Sequence, residues 1–464
     1  MELKELQKKY PEFIYEGYDW KIEDGDLVAD FYFAMGEIKF NPSIIIHGIN
    51  LAQIEKLGSA AISNLIFNMG LAEIPSYWKA ACCPAIIIKA GYLDKKQIVF
   101  WQDLIFNMGQ FFYENRLPFI KPKFKIVAAK PKKMAVAKNK FSNRYLAPQG
   151  GGKDSLVTLE TLRAAAKEIA TFTLNAHNSL VKVAAVAGAN NIFVERKIDG
   201  RLLELNRLGY FNGHTPFSSI LAALGVSLAA LFDFKYVAIS QERSSDEGNA
   251  RYRGRTINHQ YSKSYEFENK FRDYSKKYLA KNIVYFSFLR PLYEIQISKI
   301  FARNQKYFGS FLSCNKPFTI AFRDSGAKAG WCGECAKCLS VFAMLYPFAG
   351  EIETVKIFGK NLFEDESLIP LMRELCGQTA CKPFECVGTT REMAAAFYLS
   401  LKNTAKPKPI LLDYFQKNIL PKYKNIETDS KKIMASWNGK NNLPKDLAAI
   451  LKKLITLNYE TVLR

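Results

Sequence analysis

Several things are missing from this chain, and each absence closes off a class of protein. The opening residues, Met1-Glu2-Leu3-Lys4-Glu5-Leu6, hold no apolar core of the kind a secretory signal needs, so a cytoplasmic protein is expected. There is no long uninterrupted apolar run. The most apolar stretch, 216–234, is broken by Ser218, Ser219 and Gly225, and reads as a buried helix packed on a sheet rather than a membrane span. Negative charge is in short supply: 44 Asp and Glu face 65 Lys and Arg, a net charge of +21. That excess suits either nucleic acid or an anionic small molecule, because net charge governs encounter and not fold. It is most local at 121–140, where eight lysines and two prolines occur with no acid, the composition of a linker or an extended arm. Nine cysteines in a cytoplasmic chain do not make a disulfide framework.

What is present is a globular chain. Its 464 residues, 48% hydrophobic and 23% charged, suffice for two or three domains with a large core. Residues 1–118 read as a separate α+β region, with strands near 27–33 and 43–47 and helical spacing near 51–69 and 97–114. A lysine-rich linker is expected over 119–142. From 143 to 348 short strands (143–148, 168–174, 191–196, 235–240, 283–288) alternate with helical patterns (155–167, 178–187, 216–233, 259–279, 292–304). That alternation predicts an α/β, Rossmann-like parallel sheet with helices on both faces. Residues 349–464 read as a basic, helical C-terminal tail.

The first strand of the alternating set runs into Gly150-Gly151-Gly152-Lys153-Asp154-Ser155, and a helix follows. Glycines let backbone N–H groups approach an anion closely, and the first helical turn adds unpaired donors and a positive dipole end. Asp154 and Ser155 could cap the helix, hold a metal ion or bond a phosphate. The plainer reading is a flexible turn ending in an N-cap. The loop fits neither the Gly-x-x-x-x-Gly-Lys-Ser/Thr nor the Gly-x-Gly-x-x-Gly pattern.

A second constellation is Cys332-Gly333-Glu334-Cys335-Ala336-Lys337-Cys338, with Cys314 eighteen residues upstream. Four thiolates suit a tetrahedral zinc site, and the same spacing serves iron–sulfur clusters or a metal-free thiol cluster. Polar strings also follow the predicted strands: Asn212-Gly213-His214-Thr215, Ser240-Gln241-Glu242-Arg243, His259-Gln260-Tyr261-Ser262-Lys263 and Leu289-Arg290. Each singly reads as a turn or a cap. Together they lie on the edge that carries the glycine-rich loop, where parallel sheets bind ligands.

The glycine-rich loop resembles the PP-loop of ATP pyrophosphatases, Ser-Gly-Gly-x-Asp-Ser, with Gly150 where that superfamily usually has Ser. The resemblance implies a PP-loop/HUP-type fold that binds ATP and cleaves it between the α- and β-phosphates. Among PP-loop enzymes, 7-cyano-7-deazaguanine synthases carry a similar Cys-x-x-Cys-x-x-Cys zinc site. Adding Gly-Leu-Ala-Glu-Ile-Pro-Ser-Tyr-Trp-Lys at 70–79, Asn-Gly-His-Thr-Pro-Phe-Ser at 212–218, His-Gln-Tyr-Ser-Lys-Ser at 259–264 and Trp-Cys-Gly-Glu-Cys-Ala-Lys-Cys at 331–338, the chain from about 30 to 400 resembles the UDP-N-acetyl-α-D-muramoyl-L-alanyl-L-glutamate epimerases. That resemblance implies inversion of the terminal glutamate of a peptidoglycan precursor, with ATP and Mg²⁺, through an acyl-adenylate. It implies phosphate binding by Gly150–Ser155, Mg²⁺ contact at Asp154, and acid–base or carboxylate-binding work among His214, His259, Lys263 and Glu242. Arg290 would pair with a substrate carboxylate or phosphate, and Tyr77, Trp78 and Lys79 would contact sugar or peptide, or only pack. A multiply anionic UDP-sugar-peptide accounts for the basic charge without nucleic acid. Two rival readings stand: a PP-loop enzyme that adenylates an RNA base, and a non-catalytic nucleotide-binding adaptor. No thiolase-type cysteine pair stands beside the loop, which disfavours the first, and the retained Lys153, Asp154 and Ser155 disfavour the second.

Overall fold

The computed structural model describes residues 2–127, 134–176, 178–318 and 330–456. Its strands are β1 (Glu12–Glu23), β2 (Asp26–Met35), β3 (Ile38–Phe40), β4 (Ser43–Ile46), β5 (Ala85–Ile88), β6 (Lys123–Ile126), β7 (Tyr145–Pro148), β8 (Ile169–Leu174), β9 (Asn191–Lys197), β10 (Tyr236–Ile239), β11 (Ala250–Tyr252), β12 (Arg255–Ile257) and β13 (Val284–Ser287). Eleven of them form one sheet in the order β13-β10-β7-β8-β9-β4-β2-β1-β5-β6, with β3 beside β2, while β11 and β12 make a separate hairpin.

The five strands expected from 143 onward all form and are parallel. Their order, with β7 central and β8 and β10 on either side, is that of a doubly wound sheet. The sheet as a whole is mixed, not parallel. β4 pairs antiparallel with β9, Ile45 opposite Glu195, and so joins the strands of residues 1–118 to the rest. The N-terminal region therefore shares the sheet instead of folding apart. Within the expected linker, Lys123–Ile126 adds a parallel edge strand to β5, and Ala137 bridges Ala280. Residues 128–133 of that linker and 457–464 of the tail lie outside the described residues.

Side chains alternate across the sheet as strand geometry requires. Leu146 and Val237 enter one core with the helices Ser59–Trp78, Phe217–Leu231 and Tyr265–Tyr278. Tyr145 and Ala238 enter the other, with Lys153–Ala164, Glu294–Phe301 and the C-terminal helices. The apolar stretch at 216–234 becomes the buried Phe217–Leu231, and among the described residues no single helix is long and apolar enough to cross a membrane.

The 70–79 string occupies the end of Ser59–Trp78, a helix buried nearly all round. A Cβ on Gly70 would fall 2.0 Å from the Tyr15 hydroxyl oxygen and 2.8 Å from a Phe31 ring carbon, so the helix can approach β1 and β2 only with glycine there. Glu73, fully enclosed, receives both arms of the Arg196 guanidinium at 2.6 Å. This bidentate pair ties the Ser59–Trp78 helix to β9.

Candidate active site

In a doubly wound sheet the loops after the central strand and its neighbour diverge, leaving a crevice at the carboxyl ends. Here those strands are β7 and β10. The loop after β7 is Gln149–Gly152. Gly151 adopts φ +76°, a conformation that favours glycine, and its carbonyl accepts from the Leu312 amide at 2.9 Å. Gly152 is the N-cap of Lys153–Ala164 and no side chain caps that helix. A Cβ on Gly150 would meet nothing within 4 Å. The Gln149 carboxamide accepts from Gly151 N–H at 3.0 Å and from the Ser155 hydroxyl, leaving its buried Nε2 without a partner among the described residues. Uncapped helical amides, open space over Gly150 and an orphaned amide donor fit an anion at this turn.

Beneath the loop lies a buried charge network. Lys153 Nζ sits 2.5 Å from Asp154 Oδ1 and 3.1 Å from Glu294 Oε1, and Lys337 Nζ donates to the same Glu294 oxygen at 2.8 Å. Burial opposes ionisation of Glu294, yet Lys153 and Lys337 hold its carboxyl down at about 2. Lys337 Nζ also donates to the Cys386 carbonyl, and Lys263 Nζ lies 3.0 Å from Cys386 Sγ. Glu242, on the loop after β10, is buried, which raises its carboxyl, while Lys263 acts in the opposite sense. Asp154 keeps partial exposure, so its carboxylate is the one in this group that a metal ion could reach.

Both histidines border the same network. The expected helix at 259–279 starts only at Tyr265, because Ser264 caps it by accepting from Phe267 N–H at 3.1 Å. His259 and Lys263 are thereby left in a turn and a short 3₁₀ segment that reach the strand ends. The rings of His214 and His259 lie 6.1 Å apart. Burial and Lys79 push His214 down to about 4, and burial and His214 push His259 to about 2. Lys79 donates to Gly213 O at 2.5 Å and Thr215 Oγ1 at 2.9 Å, and burial lowers it to about 8. Asp154, His214, His259, Lys263, Glu242 and Lys79 thus form one electrostatically linked cluster at the strand ends.

Three of the residues expected to bind substrate have no surface to offer it, and these readings are corrected. Arg290 is completely buried; its guanidinium donates to the carbonyls of Glu242 and Lys263 and so holds two site loops together. Tyr77 and Trp78 are equally enclosed, Tyr77 accepting from Asp199 N–H at 3.2 Å and Trp78 donating to Cys83 O at 2.8 Å. Of the 77–79 triplet only Lys79 enters the site. Sequence reading missed Glu294, Lys337, Cys386 and Asn249. Lys337 had one signal: it stands inside the cysteine motif, two residues after Cys335.

The four cysteines expected to cluster do so. The sulfurs of Cys314, Cys332, Cys335 and Cys338 all lie within 4.8 Å of one another. Cys314–Cys335 at 3.9 Å and Cys332–Cys338 at 3.6 Å match the edge of about 3.8 Å that four sulfurs about 2.3 Å from one zinc would make. Cys335 is also the N-cap of Ala336–Ala349, its sulfur accepting from Cys338 N–H at 3.4 Å. The cluster therefore sets the start of the helix that carries Lys337 into the crevice.

Two family models match this chain. A model described as the MurL N-terminal domain matches residues 4–288, and one described as the MurL C-terminal domain matches 310–430. The chain belongs to the MurL family. A relative from a Micromonospora species is 34% identical over 70% of this chain and 72% of its own length. Another from Xanthomonas oryzae is 32% identical over 80% and 82%, and one from Salinispora tropica 29% over 85% and 86%. All three carry the name UDP-N-acetyl-alpha-D-muramoyl-L-alanyl-L-glutamate epimerase. The MurL boundary between 288 and 310 falls after β13, so the glycine-rich loop lies in the N-terminal MurL domain and the cysteine cluster in the C-terminal one.

Proposed function

We propose that this protein is an ATP-dependent epimerase that converts the terminal L-Glu of UDP-MurNAc-L-Ala-L-Glu to D-Glu, releasing AMP and pyrophosphate. The observation that carries the reading is the open, uncapped glycine turn at Gly150–Gly152 beside a crevice of lysines and neutral histidines. The α-proton of a carboxylate is hard to remove, because the carbanion adds negative charge beside an existing one. Attack of the glutamyl α-carboxylate oxygen on the α-phosphorus of ATP expels pyrophosphate and gives a mixed anhydride whose acyl group no longer carries a charge. The α-carbon is then acidic enough for a side-chain base. Reprotonation on the other face inverts the centre, and hydrolysis releases AMP and the D-glutamyl product.

The PP-loop reading assigns the phosphates to the amides of Gly150–Ser155 and to the Ser155 hydroxyl. Asp154 would hold Mg²⁺, which supplies charge neutralisation on the phosphates as pyrophosphate leaves. Lys79, Lys263 and Lys337 line the crevice and would offset the carboxylates and diphosphate of the substrate. The cysteine cluster would hold a structural Zn²⁺ that pins the helix bearing Lys337. Work on this substrate is work in the cytoplasm, and its charge explains a basic protein without nucleic acid.

The test is incubation with ATP, Mg²⁺ and either UDP-MurNAc-L-Ala-L-Glu or tRNA. The expected result is AMP and pyrophosphate with the muramoyl dipeptide alone, and D-Glu on acid hydrolysis of the product. AMP formation that depends on tRNA would overturn the reading in favour of an RNA-adenylating enzyme, and no turnover with either would favour a nucleotide-binding adaptor.

A further inference from the structure

His259 is held more tightly than its place in a turn requires. The Asn249 carboxamide sits beside it with both ends engaged. Its Nδ2 donates to Pro383 O at 2.7 Å, and its Oδ1 accepts from His259 N–H at 3.1 Å. The same Oδ1 lies 2.8 Å from His259 Nδ1. Because Pro383 consumes the amide donor, the atom facing the imidazole is an oxygen, and only a protonated Nδ1 can meet it. The lone pair of the neutral ring then sits on Nε2. That atom is buried, the residue is 6% exposed, and none of the described residues donates to it.

A buried acceptor with no donor is an uncommon arrangement, since protein interiors pair nearly all such groups. Around it stand His214 from the loop before Phe217–Leu231, Lys263 from the turn before Tyr265, Lys382, and Lys337 from the start of Ala336–Ala349, all of which act electrostatically on the ring. These groups disfavour a second proton on the ring before substrate arrives. An anionic substrate offsets the three lysines, and negative charge developing beside the ring favours the imidazolium at the moment it forms. Two of the other candidates are committed elsewhere: Lys263 is held on Cys386 and Asp154 on Lys153.

We propose that His259 Nε2 is the base that removes the α-proton of the activated glutamate, and that Asn249 is the positioning residue that keeps Nε2 unprotonated. This rests on the adenylation reading above and deepens it. The Cα–H bond breaks, an N–H bond forms at Nε2, and the electron pair moves onto the acyl carbonyl oxygen. Water returns a proton to the opposite face, and the imidazolium releases its proton to solvent at turnover.

The experiment uses the full chain with ATP, Mg²⁺ and UDP-MurNAc-L-Ala-L-Glu in D₂O, counting deuterium at the glutamyl α-carbon per AMP formed. His259→Gln should lower that ratio at least about 100-fold, the range general-base removal commonly gives. An unchanged ratio overturns the assignment, and so does loss of AMP formation itself, which would place His259 in adenylation. Failure of the wild type to form AMP would instead sink the adenylation reading. Asn249→Asp places a carboxylate on Nδ1 and raises the imidazole pKa, so deuterium incorporation should be lost at a higher pH than in wild type. An equal drop at all pH values would mean a merely structural role and overturn the positioning claim. On the unmodified protein, nitrogen-15 NMR of the four histidines should show His259 neutral with Nδ1 protonated. An Nε2-protonated or charged ring overturns the proposal whatever the variants do.

Discussion

Lys153 and Glu294 form an ion pair sealed from solvent, with Nζ 3.1 Å from Oε1 and each side chain 1% exposed. One partner lies at the start of the helix after the glycine turn, and the other opens the helix after β13. Lys337 makes the pair a triad, and Asp154 supplies the second negative charge. Two ammonium groups and two carboxylates therefore cancel beneath the loop, which is how four charged groups persist in a low-dielectric site.

Removing Glu294 should be costly. Glu294→Gln leaves two buried ammonium groups sharing one carboxylate, and the expected loss is about 3–5 kcal/mol of unfolding free energy, read by urea titration. The pH dependence has a definite sign. The Glu294 carboxyl is depressed to about 2 from 4.5, so its contribution is complete above pH 4.5 and disappears as pH falls towards 2. The slope of stability against pH in that window should be smaller in the variant. Equal slopes would show that the triad is not what acid disrupts.

Asp154→Ala should reduce AMP release at least about 100-fold at saturating Mg²⁺, because the one partly exposed carboxylate at the turn is lost. Since Lys153 also loses a partner, a urea titration should accompany the assay. AMP release within about threefold of wild type would remove Asp154 from the metal role.

Gly70→Ala tests the close packing of the 70–79 string. The added methyl would overlap the Tyr15 hydroxyl and the Phe31 ring. The expected cost is about 1–3 kcal/mol, as for other overpacked cores, with the thermal midpoint falling accordingly. A neutral result would mean that the Tyr15 ring moves aside.

For the cysteine cluster the expected outcome is one zinc per chain after purification under reducing conditions, and its loss in Cys335→Ser, measured by elemental analysis. Metal bound only by the folded state stabilises it by about 2.7 kcal/mol when present at about 100 times its Kd, so chelation should lower the thermal midpoint. Iron in place of zinc, with visible absorption, would assign the site to a cluster cofactor instead.

The sequence made the five parallel strands legible because each is a short apolar run bounded by turn residues. It also placed the glycine turn and the cysteine cluster, three of whose four members are close in sequence. The join between β4 and β9 was not legible: Ile44-Ile45-Ile46 is simply apolar, and nothing near it names a partner 150 residues away. Glu294 and Asn249 were missed for the same reason. A buried carboxylate between two lysines, or an asparagine aimed at an imidazole, is a long-range fact with no periodicity. Tyr77, Trp78 and Arg290 misled for the opposite reason: aromatic and guanidinium groups that suit ligands also suit cores and loop anchors.

The β4–β9 ladder has a mechanical consequence. Hydrogen bonds run unbroken across that seam, and Glu73–Arg196 clamps a helix over it. The two halves of the chain cannot rock about a linker as hinged two-lobed enzymes do. A crevice set on such a sheet can change shape only through its loops, so turnover in this protein should respond to stiffening of the segments around Gly213 and Cys386 and not to cross-links between the halves.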